Sequence, residues 1–123
     1  PRLIMFSPDD RLLITRHRRR GMKDPIQVWD VSTGELVRTF GGDVYLKCGV
    51  VMRDNRRLIG GCIDGKIRVW DVESGRLLAT MPGHRRYVTT VALSPEESMY
   101  ASGCIDSEIL LWDATGLPQL SSE

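Results

Sequence analysis

The chain has 123 residues, 41% apolar and 27% charged, the make-up of one folded domain with a modest core and not of a disordered segment. Seventeen Lys and Arg against sixteen Asp and Glu leave a net charge of +1, so no global field recruits nucleic acid or a membrane surface. No apolar run approaches the roughly 20 residues of a membrane helix, and three cysteines cannot all pair within one chain, which argues against a disulfide scaffold. The opening PRLIMFSPDD carries an acidic pair where a signal peptide would stay apolar. An intracellular location, cytoplasmic or nuclear, is therefore expected. A start on Pro1 in place of Met points to a trimmed chain or a fragment.

Taken in order, the chain repeats itself. FSPDDRLLIT (6–15) reaches IQVWD (26–30) through RHRRRGMKD (16–24), which contains four extra residues, and VSTGELVRTF (31–40) follows. Next come LKCGVVMRDNRRLIGGCIDGKIRVWD (46–71) and VESGRLLATM (72–81), then VTTVALSPEESMYASGCIDSEILLWD (88–113). The second and third copies match without a gap over 26 residues, and Trp-Asp recurs at 29–30, 70–71 and 112–113. In the third copy VTTVALS, MYASGCI and EILLWDA read as strands with apolar residues on both sides, as in a sheet covered on both faces. Ser94-Pro95 and Asp54-Asn55 mark the first turn of a copy. Asp64-Gly65, suited to a tight hairpin, marks the second, and Ser74-Gly75 and Thr33-Gly34 open a fourth strand. No capping box leads into a helical apolar stripe.

Repeats of this length, with four strands each and closing on Trp-Asp, resemble the WD-repeat β-propeller family. The resemblance implies an all-β fold. It is a partial propeller of three blades of four-stranded antiparallel sheet, an open arc and not a closed ring. The blades span 1–42, 43–83 and 84–123, and the last has only LPQL (117–120) toward its outer strand. In the family His84, Ser102, Asp106 and Trp112 would form a hydrogen-bonded structural set. The second copy keeps Asp64 and Trp70 of that set but has Gly42-Asp43 for Gly83-His84 and Gly60 for Ser102. The first keeps Thr15 and Trp29. Three blades do not close a ring, so the rest of a longer propeller, or a second copy, is needed to complete it.

His84, Ser102 and Asp106 are also the residue types of a hydrolase triad. That reading fails, because a nucleophile must be open to substrate and the family places this set between strands. Cys48, Cys62 and Cys104 show no Cys-x-x-Cys, and with two histidines in the chain the spacing of a zinc site is missing. They read as small buried hydrophobes with reduced thiols. Gly41-Gly42 and Gly60-Gly61 lack the Lys-Ser/Thr context of a phosphate loop. No metal, cofactor or catalytic residue is expected.

One surface feature stands apart. Arg16, Arg18, Arg19, Arg20 and Lys23 place five cations in eight positions between the second and third strands of the first copy, and Arg85-Arg86 follow His84. In the family both connections lie on the rim that meets partners. Tyr45, Tyr87, Ile63 and Ile105 would border it. A solvated basic loop is the plain reading; an anion-seeking contact face is the sharper one. The resulting expectation is a non-catalytic scaffold that binds other proteins or peptides, acidic or phosphorylated ones through the basic rim. A nucleic-acid or phospholipid contact module, or a regulatory propeller of a larger enzyme, are the alternatives.

Overall fold

The structure is a computed structural model that describes residues 3–16, 25–114 and 117. Eleven strands fill it: β1 Leu3–Phe6, β2 Leu12–Arg16, β3 Ile26–Asp30, β4 Leu36–Phe40, β5 Leu46–Val51, β6 Arg57–Cys62, β7 Ile67–Asp71, β8 Arg76–Met81, β9 Val88–Leu93, β10 Met99–Cys104 and β11 Ile109–Asp113. They form three antiparallel sheets, β1-β2-β3-β4, β5-β6-β7-β8 and β9-β10-β11, each strand paired with its neighbour in sequence, and none of the sheets closes on itself. The open, partial propeller expected from the repeats is the architecture observed. The fourth-strand segment of the last repeat, 118–120, falls outside the described residues, as does the whole of 17–24.

Two apolar layers hold the sheets together. Ile14, Ile26 and Val28 of the first sheet pack against Leu46, Leu58 and Trp70 of the second. Ile59, Ile67 and Val69, on the other face of the second sheet, pack against Val88 and Tyr100 of the third. The middle sheet is therefore covered on both sides, which explains why its strands alternate so little between apolar and polar residues. The end sheets have one such face each. Ile67 and Val69 are 0% exposed, whereas Ile109 and Leu111, at the matching places in β11, are 73% and 69% exposed. At the opposite end Ile4 and Phe6 are 61% and 57% exposed.

The turns follow from their sequences. Ser7 and Ser94 accept the N–H groups of Leu12 and Met99 on their hydroxyls, each at 3.0 Å, closing the first turn of a blade. The tips of these turns, Asp10, Asn55 and Glu97, all have φ near +60°. Two of the tips also bridge sheets. Asn55 Oδ1 accepts the Asp9 N–H at 2.8 Å, and Glu97 Oε2 accepts the Arg53 N–H at 2.7 Å.

The Asp64-Gly65 turn differs from the two-residue hairpin that its dipeptide suggests. It is a three-residue loop closed by the Cys62 N–H on the Lys66 carbonyl at 3.0 Å, and within it only Gly65 takes a positive φ, +85°. The next blade explains the glycine. The His84 N–H donates to the Gly65 carbonyl at 2.8 Å, and a Cβ on Gly65 would lie 2.1 Å from the His84 carbonyl oxygen. The equivalent Ser107 also has positive φ, 74°. Gly65→Ala is expected to destabilise by about 2–4 kcal/mol through backbone strain and collision. Ser107→Gly is expected to gain about 0.5–1 kcal/mol; urea unfolding of both variants checks the pair.

Candidate functional site

His84 stands in the connection between β8 and β9 with its side chain fully buried. Its Nε2 lies 2.8 Å from Ser102 Oγ and its Nδ1 2.8 Å from Glu108 Oε1. Trp112 Nε1 donates to the same Ser102 oxygen at 2.8 Å. One proton arrangement satisfies every atom. Glu108 accepts from Nδ1–H, so the neutral ring's Nε2 accepts from the Ser102 hydroxyl, whose oxygen accepts from the indole. The set therefore runs Trp112, Ser102, His84, Glu108. Asp106, expected in the set, is not in this chain of bonds. Its carboxylate folds back on its own turn, where the Cys104 thiol and then the Glu108 N–H, which it accepts at 3.3 Å, hold its pKa below the usual value. The physical reason is position: Asp106 occupies the turn tip, while Glu108 lies just ahead of β11 beside the buried ring.

Glu108, His84 and Ser102 have the connectivity of a hydrolase triad, but Ser102 is 1% exposed and its oxygen is already engaged by Trp112. No substrate carbonyl can approach it without displacing the indole.

The other blades solve the same packing problem differently. In the second, a Cβ at Gly60 would fall 2.7 Å from the Trp70 ring and 2.2 Å from Leu46 Cδ1, so those two side chains leave no room for a counterpart of the Ser102 side chain. Phe40 of the neighbouring sheet meets Trp70 with ring centroids 6.2 Å apart. Asp64 is held instead by a bidentate ion pair from the buried Arg68, at 3.1 and 2.7 Å. That hydrogen bond is the main cause of the lowered Asp64 pKa. In the first blade Trp29 Nε1 donates to Thr15 Oγ1 at 2.9 Å, the same indole-to-hydroxyl bond as in the third. The three cysteines are free thiols, and burial pushes Cys48 up to about 11 and raises Cys62 as well.

The described rim residues fall into three groups. Ile63 and Ile105, both exposed, donate their N–H groups to the Tyr45 and Tyr87 carbonyls at 3.0 and 3.3 Å, so each Tyr–Ile pair comes together in one blade. Tyr87 also lies under the Lys47 ammonium, 5.8 Å from ring centroid to Nζ. Arg85 and Arg86 are exposed in the connection that wraps the Gly65 turn, and Arg86 helps keep Asp106 ionised. Arg16 departs from expectation. It is the last residue of β2 and only 6% exposed, because its place in the ladder turns it inward toward Cys62, away from a solvent-facing rim. Arg18, Arg19, Arg20 and Lys23 lie outside the described residues.

Sequence reasoning does not anticipate Glu108, Arg68 or the inter-sheet bonds of Asn55 and Glu97. Nor does it show the opposite rim, where a groove of about 760 Å³ opens between the first two sheets among Asp9, Asp10, Asp30, Asp54 and Glu73. Several of these carboxylates accept local N–H bonds that cap turns, as Asp30 does from Ser32 at 2.8 Å and Asp54 from Arg56 at 3.0 Å. Among the described residues no three His, Cys, Asp or Glu side chains are grouped to hold a metal ion.

Two measurements test this geometry. His84→Ala should cost about 1–3 kcal/mol by leaving the Ser102 hydroxyl without its acceptor, and Asp43→Ala, at the exposed counterpart, clearly less; chemical denaturation gives both. Asp64 has a depressed folded pKa, so its contribution is present above its unfolded value of about 3.8 and is lost as pH falls through the lower folded value. Asp64→Asn should therefore flatten the acid limb of the stability–pH curve below pH 4 (roughly), and an unchanged limb would remove Arg68–Asp64 from the acid response.

No curated protein matches the chain. The family model described as WD domain, G-beta repeat matches residues 34–71 and 75–113. Each match begins at the approach to, or the edge of, the fourth strand of one sheet and ends with the third strand of the next, so the matched unit straddles two blades. With both matches together covering more than half of its residues, the chain belongs to the WD40 repeat family.

Proposed function

We propose that this chain is a non-catalytic scaffold whose basic rim binds acidic or phosphorylated segments of partner proteins. WD40 repeats generally mediate protein–protein interaction, and the family assignment supports that part of the reading. The observation that carries the anionic preference is the exposed Arg85-Arg86 pair, on the rim with the exposed Ile63 and Tyr45 and the Lys47–Tyr87 contact. Arginine offers a planar fork that matches carboxylate and phosphate oxygens, and the neighbouring Tyr and Ile supply apolar contact. Arg18, Arg19, Arg20 and Lys23 add four cations from the first blade's long connection. Exposed pairs contribute on the order of 0–1 kcal/mol each, so the rim acts as a cluster. The burial of Ser102 supports the absence of catalysis.

The test is binding of an acidic and phosphopeptide panel to wild type, to Arg85→Glu/Arg86→Glu and to Arg18→Glu/Arg19→Glu/Arg20→Glu, at two salt concentrations. Each reversal should weaken binding by roughly tenfold or more. Unchanged binding, or none by the wild type, sinks the proposal. Equal affinity for random single-stranded RNA with a steep salt slope would favour nucleic acid as ligand instead.

A further inference from the structure

Across the junction of the second and third sheets the rim repeats one order twice: apolar, cationic, apolar. The first row is Tyr45, Lys47 and Tyr87. Lys47 is the extra residue of a bulge in β5, where the register to β6 skips from Leu46 to Cys48, and a bulge turns its side chain out of the ladder. Its ammonium lies over the Tyr87 ring, so the cation spans from the Tyr45 strand to the next blade's tyrosine. The second row is Ile63, Arg86 and Ile105. The Arg86 backbone packs on the Gly65 turn, just beyond Ile63, and the Arg86 charge acts on Asp106, the neighbour of Ile105. The Tyr45–Ile63 and Tyr87–Ile105 backbone bonds tie the two rows together at both ends.

The cations of this stretch are free, whereas most of its carboxylates are committed. Lys47, Lys66, Arg85 and Arg86 are exposed and make no ion pair among the described residues. Asp64 is taken by Arg68, and Glu108 accepts from the buried His84. Asp106 is drawn back into its own turn by the Cys104 thiol and the Glu108 N–H. Asp43, exposed beside Tyr45, has no such tie, and the four cations outnumber it. A negative group arriving here finds donors to spare; a positive one finds carboxylates already occupied.

The apolar shoulders are a property of the rim itself. Ile63 belongs to the middle sheet, which has a sheet packed on either side, and it is still 51% exposed. Ile105, at the same place in the third sheet, is 45% exposed. Packing between blades therefore does not cover this position, and the isoleucines stay available to a ligand.

Resting on the anionic preference argued under the preceding heading, we propose that the partner segment carries a single phosphate or carboxylate with an apolar side chain on each side of it, and lies across the junction of the second and third sheets. The anion meets Lys47 and Arg86. One apolar side chain packs on Tyr45 and Ile63, the other on Tyr87 and Ile105. A run of acidic residues fits less well. Its further charges fall on an isoleucine, where they lose water without gaining a partner, or beside the ionised Asp64 and Asp106.

The experiment measures binding of fluorescent peptides to the whole chain by anisotropy. One set carries a phosphoserine with a leucine on each side at graded spacings. A second replaces the leucines by glycine, a third replaces the phosphoserine by serine, and a fourth is oligoglutamate. At its best spacing the first set should bind wild type roughly tenfold or more tighter than each of the others. Ile63→Ser/Ile105→Ser should erase the advantage of leucine over glycine and leave the glycine-flanked phosphopeptide's affinity unchanged, which also shows that the variant is folded. Lys47→Glu should weaken both phosphopeptides alike, by roughly threefold or more. Equal affinity for the leucine- and glycine-flanked phosphopeptides overturns this inference and leaves the anion-binding rim standing. So does tighter binding of oligoglutamate, a leucine advantage that survives in Ile63→Ser/Ile105→Ser, or a Lys47→Glu variant without effect. No binding of any phosphopeptide, or equal binding of the serine peptide, overturns this inference and the anionic preference together.

Discussion

A sheet that is apolar on both faces cannot bury itself, and everything else in this molecule answers that constraint. The middle sheet meets it fully: β6 is almost wholly buried and β7 entirely so, and Ile59, Ile67, Val69 and Leu58 are sealed from solvent by the neighbours on either side. Fully burying a side chain of this size contributes about 1.5–3 kcal/mol, far more than any single polar contact at the rims. The four strands of a blade are thus held in plane by their ladder, but the blade is held in the molecule by what stands beside it. The family unit reflects this, since its matched segments cross from one blade into the next.

Within that frame the centre of each blade is free to differ. The third blade fills it with a closed set of hydrogen bonds around His84, the second with the Trp70 ring and an Arg68–Asp64 ion pair, and the first with the Trp29–Thr15 bond. The first and third give the indole a hydroxyl acceptor, and the second gives the Arg68 guanidinium a carboxylate. The tryptophan keeps its place in all three, donating to a hydroxyl as Trp29 and Trp112 and packing against Phe40 as Trp70.

The fold was legible because its signal is repetition. Period, turn chemistry and two-sided apolar strands all recur, and three agreeing copies leave little freedom. The site was legible where the alignment of the repeats places a side chain, as it does Thr15 beside Trp29 and Ser102 beside Trp112. It was not legible where two carboxylates of one turn compete for the same partner. Nothing in the spacing distinguishes Glu108 from Asp106 as the partner of His84, because the choice depends on which carboxylate the turn leaves pointing at the ring. Arg16 failed for a related reason. A run of basic residues reads as one surface loop, but its first member is still in the β-ladder, and ladder alternation decides which way it faces.

The hydroxyl of Ser102 has to donate and accept at once, and that double role restricts the evolutionary paths open to the blade. Threonine could replace it, as Thr15 shows for the indole half of the task. Alanine would strand both the imidazole and the indole, so a repeat that loses the hydroxyl gains nothing by keeping the histidine. The second blade, with Gly60 and no histidine, is the far end of such a route. Its ring lies against Gly60, and a serine placed there would collide with Trp70 and Leu46 before it could bond anything. Drift between the two solutions is therefore a ratchet: once the aromatic ring has closed over the glycine, the polar version cannot return one substitution at a time.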